Sequence, residues 1–200
     1  MRFSRPSFAV FVMVGLAAVA AAAVDMLGAD PSAPLGLGFG LKVKEARRAL
    51  EQRGVSVIDD GVDSKKIHTL LVEGALVELP PDIQGFDVTT RFEFWKKKLY
   101  SETLLLKSGA PERHRQVAAA LKEFIVSSYG PPKEEDAFLG FSTWTWLHND
   151  LKVVLSTNPS YTTTSVEYIY IPLARRRELE KYEKLLGTPP PDPVKEHFLQ

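Results

Sequence analysis

Residues 86–107, FDVTTRFEFWKKKLYSETLLLK, decide how the rest of the chain is read. Val88, Thr90, Phe92 and Phe94 alternate with Thr89, Arg91 and Glu93, the two-residue period of a strand with one face buried and the other wet. Lys96, Lys97 and Lys98 supply a polar turn, read as solvated residues rather than as a phosphate or membrane-surface patch. Residues 99–106 return as the second strand, so the segment is an antiparallel hairpin.

Ahead of that hairpin, IHTLLVEG at 67–74 and VSVIDD at 55–60 are short apolar runs separated by Gly61 and Asp63, which favours strands over helices. Ahead of them, in LKVKEARRALEQRG, Val43, Ala46 and Leu50 share one helical face and Gly54 supplies a stop, predicting a helix over 43–52. Downstream, Val117, Leu121, Phe124, Ile125 and Ser128 form a stripe at helical spacing that Gly130, Pro131 and Pro132 close. FSTWTWL at 141–147, a turn at Asn149-Asp150, LKVVLST at 151–157 and SVEYIYIPL at 165–173 read as three more strands. A last helix begins near Leu173, with Leu179, Tyr182 and Leu186 on one side and Arg175, Arg176, Arg177 and Glu178 on the other, ending at Gly187. The expected fold is a single α+β domain over 35–187, antiparallel sheet with helices packed on one face. The element order also admits a tandem helix-then-meander duplication with halves 35–110 and 111–187.

The ends are different in kind. Arg2 and Arg5 precede an apolar run from Phe8 to Val24 that finishes in Ala20–Ala23, which reads as a signal peptide over 1–23. The expected location is therefore periplasmic or secreted, the alternative being an inner-membrane anchor through 8–24. Residues 24–34 read as a linker, and 188–200, rich in proline, as an extended tail.

Chemistry is sparse. The 200 residues carry 25 Lys plus Arg against 25 Asp plus Glu, which speaks against a nucleic-acid partner. There is no cysteine, so disulfides, thiolate zinc sites, a cysteine nucleophile and an acylated cysteine anchor are excluded. His68, His114, His148 and His197 are scattered without a metal-binding spacing, and no metal or cofactor is expected. Gly140-Phe141-Ser142-Thr143-Trp144 lacks the second glycine of a nucleophile elbow, and Gly36, Gly38 and Gly40 lack the spacing of a phosphate loop. The acids Asp59-Asp60 and Glu134-Glu135-Asp136 read as solvated loop residues, or at the second cluster as a weak calcium site without the D-x-D-x-D-G loop, rather than as a glycosidase pair.

The aromatic residues are the strongest invitation to function. Trp144 and Trp146, and on a neighbouring strand Tyr168 and Tyr170, each share a face by two-residue spacing, and Trp95 ends the first hairpin strand. If helices cover that face these side chains are core; if it is open they make a platform for a protein, peptide or glycan.

The opening GLKVKEARRALEQRG and the later order of YGPP followed by W-x-W resemble the β-lactamase-inhibitor-like architecture and the small outer-membrane assembly lipoproteins of the SmpA/OmlA type. Lys42 replaces the capping Ser or Thr of that group, and its lipid-bearing cysteine is missing. The resemblance implies a non-enzymatic envelope protein and brings no catalytic residues. The expected function is thus an exported protein-interaction module using a sheet face or edge, with an envelope protein as partner. The alternative is a small-ligand or glycan-binding domain, with a hydrolase third.

Overall fold

A computed structural model describes residues 30–158, 160 and 162–186; the segment read as a signal peptide or membrane anchor, the expected helix stop Gly187 and the proline-rich end of the sequence lie outside them. One eight-stranded antiparallel sheet and three helices make up the fold. In chain order these are α1 (Val43–Gln52), β1 (Val57–Val62), β2 (Ile67–Glu73), β3 (Asp87–Trp95), β4 (Lys98–Lys107), α2 (Pro111–Tyr129), β5 (Glu134–Phe138), β6 (Phe141–His148), β7 (Leu151–Asn158), β8 (Thr163–Tyr170) and α3 (Ile171–Leu186).

The strands lie in the order β1-β2-β3-β4-β8-β7-β6-β5. Each half is a helix followed by a four-stranded meander, and the last strands of the two meanders, β4 and β8, pair at the centre with Glu102 opposite Tyr168. The expected α+β fold with helices packed on an antiparallel sheet is the fold observed. Its finer layering is asymmetric: α1 and α2 pack on one face, while α3 rests against the other, near Trp95 and Tyr100.

Alternation explains the core. Phe92 and Phe94 on β3, Leu104 and Leu106 on β4, Val166 and Tyr168 on β8, Val153 and Leu155 on β7 and Trp146 on β6 all point to the α1/α2 side and are buried there. Ala46 and Leu50 of α1 and Val117, Leu121 and Ile125 of α2 meet them, the stripes read from helical spacing. Lys42 cannot cap α1 with a hydroxyl; the Glu45 carboxylate instead accepts a hydrogen bond from the Lys42 amide at 2.9 Å. Gly130 takes φ +80 and its amide donates to the Val126 carbonyl at 2.8 Å, ending α2 as its sequence suggests.

Three placements differ from expectation. The described part of the linker, from Asp30, belongs to the domain: the Phe39 amide donates to the Ser32 carbonyl at 3.0 Å, and Pro34, Leu35 and Leu37 are buried. The acids Glu134, Glu135 and Asp136 are in an edge strand, not a loop. All five residues of β5 are exposed, so no apolar alternation marks the strand, and its charges deter pairing with another sheet edge. The strand at 165–173 stops at Tyr170, where Pro172 sits in the first turn of α3 and the Ile171 amide donates to the Asp150 carbonyl at 2.8 Å.

Candidate binding site

The aromatic residues singled out by the sequence do not form an open platform. Trp146 and Tyr168 are 1% and 0% exposed and belong to the main core; Trp144 and Tyr170, on the same face, are half-buried. Trp146 donates its indole N–H to the Gly130 carbonyl at 2.9 Å, fastening β6 to the end of α2. The Trp144 indole donates to Glu135 at 3.2 Å beneath the Lys122 ammonium, 5.2 Å from its ring centre, and Tyr170 stacks on Phe39 with ring centres 5.6 Å apart. All four thus serve the face that the helices and residues 33–41 cover.

Trp95 points the other way. With Ile67 and Tyr100 it forms a second, smaller buried cluster against Leu173 and Ala174 of α3. β4 carries a bulge here, which turns the Tyr100 side chain onto the Trp95 side. The Tyr100 hydroxyl donates to Glu93 at 2.9 Å and accepts from Arg177, whose guanidinium lies 4.8 Å from the Tyr100 ring centre. Burial and the adjacent Glu93 carboxylate push the Tyr100 hydroxyl far above its ordinary pKa, so it stays protonated. Arg177 also binds Glu178 and lowers that carboxyl's pKa. Above these residues runs an open groove of about 560 Å³, walled by Lys65, Lys181 and Lys184 as well as by Glu178 and Glu180. Its size suits a small ligand. It holds tyrosine, arginine and carboxylates but no nucleophile paired with a base.

Beyond the groove the same face of the sheet continues uncovered. Alternation puts Thr69 and Leu71 of β2, Leu105 of β4, Ser165 of β8, Val154 and Ser156 of β7 and Thr143 of β6 on this side, partly exposed, while Ser101, Thr103 and Thr145 of the same side are buried between their neighbours. The surface is therefore broad and hydroxyl-lined, with scattered apolar side chains. At the corner diagonally opposite the groove, Phe138, Leu139 and Phe141 project from the β5–β6 hairpin, 75%, 85% and 43% exposed.

Glu102 is the functional-looking residue that the sequence reading passed over. It is fully buried on the covered face, where one carboxylate oxygen accepts from the Leu35 amide at 2.9 Å and thereby holds the incoming chain across the sheet. Burial raises its pKa to about 8, opposed by the bonds from the Leu35 and Leu37 amides and by Arg53. Neither Glu102 Oε1 nor the Tyr168 hydroxyl across from it has a hydrogen-bond partner among the described residues. The signal was its parity with Leu104 and Leu106, a charge in apolar phase.

The four histidines are not gathered. His114 is buried between Thr164 and the Ser108 carbonyl, His68 binds Asp60 at 2.5 Å, and His148 packs edge-on to Tyr129, while His197 lies outside the described residues. Among the described residues no group of three or more His, Asp or Glu could hold a metal ion, and no helix is long and apolar enough to cross a membrane. Comparison with family models, curated proteins and solved structures gave no match.

Proposed function

We propose that the protein is an exported, non-enzymatic interaction module that binds an envelope protein through the uncovered face of its sheet. One observation carries this reading: a single sheet has one face sealed by α1, α2 and residues 33–41, and an opposite face against which, among the described residues, only α3 packs. Short hydroxyl side chains suit such a role. They lose little rotamer freedom on contact and form a flat surface, while Leu71, Leu105 and Val154 add apolar area between them. Export follows from reading residues 1–23 as a signal peptide. The helix-then-meander order agrees with the resemblance to the β-lactamase-inhibitor-like and SmpA/OmlA-type proteins.

The test is a photo-crosslinking residue at Ser165, in the middle of the open face, compared with one at Ala119 on the outer surface of α2, in intact cells of the native host. A discrete protein adduct at 165 and none at 119 is expected, and it should disappear when Leu105→Arg is introduced. Equal yields at the two positions would overturn the reading.

The groove supports a second reading, a small-ligand site with Trp95 and Tyr100 in its lining. Because Trp144 and Trp146 lie on the other face, a ligand there perturbs Trp95 alone. Tryptophan emission of Trp144→Phe/Trp146→Phe protein titrated with cell-wall fragments reports it, and unchanged emission excludes those ligands.

A further inference from the structure

The β5–β6 hairpin breaks a rule that the other hairpins keep. At the β3–β4 turn the two residues with positive φ are Lys96 and Lys97, and at the β6–β7 turn the one is Asn149: polar side chains in solvent. At the β5–β6 turn they are Leu139, φ +48, and Gly140, φ +80. Glycine fits this backbone; leucine is strained in it and gains nothing from the fold, since its side chain stands in water. Phe138 and Phe141 flank it and are likewise exposed. Conformational strain and apolar exposure coincide at one point, which is how an anchor for something outside the chain is built.

The charges beside the anchor state what it fits. Residues 133–150 contain Glu134, Glu135, Asp136 and Asp150 against the single basic residue Lys133. Glu135 is occupied by Lys122 at 2.8 Å, whereas Glu134 and Asp136 have no ion-pair partner among the described residues. By strand alternation Glu134, Asp136, Phe138 and Phe141 fall on the side of Thr143 and Thr145, the open side of the sheet. An anionic bilayer surface would be repelled by these acids. The area argues in the same direction. A buried aromatic side chain covers about 150–250 Å², so three large side chains fall short of the ~800 Å² per partner of a stable interface. The remainder has to come from the adjoining open face.

We propose that Phe138, Leu139 and Phe141 insert into an apolar pocket of the partner protein whose border carries Lys or Arg side chains opposing Glu134 and Asp136. This rests on the open-face reading and names the anchor and the partner chemistry for it.

The experiment places a photo-crosslinking residue at Leu139, at Asn149 as the control hairpin, and at Ser165, each in the full-length protein in intact cells. The expected result is a protein adduct at 139 in large excess over 149, to a peptide containing Lys or Arg beside apolar residues. Glu134→Lys/Asp136→Lys should cut its yield about tenfold or more, because like charges then face each other. Circular dichroism of that variant should be unchanged. Equal yields at 139 and 149, an adduct insensitive to the charge reversal, or a second copy of this chain as the adduct would each overturn the proposal. So would flotation of purified protein with phosphatidylethanolamine–phosphatidylglycerol vesicles that Leu139→Asn abolishes. An adduct at 165 without one at 139 removes the anchor and leaves the open-face reading standing; an adduct at 139 without one at 165 removes the open-face reading and overturns the proposal with it.

Discussion

The two faces of the sheet are made by the same strands and are nearly opposites. On the covered face Phe92, Phe94, Leu104, Trp146 and Tyr168 have almost no exposed area; on the other, Thr69, Leu105, Ser156 and Ser165 stay partly in water. Stability is concentrated on the first face, where α1 and α2 exclude water. The second face carries only the smaller cluster of Ile67, Trp95 and Tyr100 against α3. A hydroxyl-lined face costs little to leave solvated and little to dehydrate compared with a charged one. Aromatic content alone does not mark an exposed surface: here most of the large aromatics went to the core.

This contrast breaks most readily on the covered face. Phe92→Ala should cost about 3–5 kcal/mol, read as a lower urea midpoint, whereas Leu105→Ala on the open face should cost about 1 kcal/mol or less. Comparable losses at the two positions would mean that the faces are not distinct. Glu102 is the next test. Its folded-state pKa, raised to about 8, lies above the ordinary 4.5, so the neutral carboxyl is the form that the fold favours. Its contribution is fully present below pH 4.5 and is lost as pH rises towards 8, by up to about 5 kcal/mol at 1.36 kcal/mol per unit. Subtracting the stability profile of Glu102→Gln from that of the parent should isolate this slope, and a flat difference between those pH values would remove the buried-acid account. Leu139→Asn sharpens the contrast between hairpins: relieving the strained leucine should raise stability by about 1 kcal/mol, seen as a higher melting temperature with the same unfolding cooperativity. Smallest of all, Ser165→Ala should shift the midpoint by no more than ~0.5 kcal/mol.

Much of this arrangement was legible in the sequence, for physical reasons that differ by element. The β3–β4 hairpin and both core helices were readable because each has one wet and one dry side, which stamps a period on the residues. β5 was not, since Glu134–Phe138 is exposed on both sides and has no dry face to mark it. The side of the sheet on which Trp144, Trp146, Tyr168 and Tyr170 lie was correctly grouped by alternation, but alternation cannot say which side the helices cover. Tyr100 entered the groove through a bulge, and Arg177 reached it from α3 across 77 positions of sequence, neither of which leaves a local pattern. The exposure of Phe138 and Phe141 leaves no local pattern either, since it depends on an edge position and on a turn that holds Leu139 at positive φ.

The most direct test of the central claim is hydroxyl-radical footprinting of the protein's side chains in intact cells, set against the purified protein. Protection is expected in cells at Leu71, Leu105, Phe138, Leu139 and Phe141, with Trp146 and Tyr168 weakly labelled in both settings. Protection confined to the outer surface of α2, or the same labelling in cells and in solution, would contradict it.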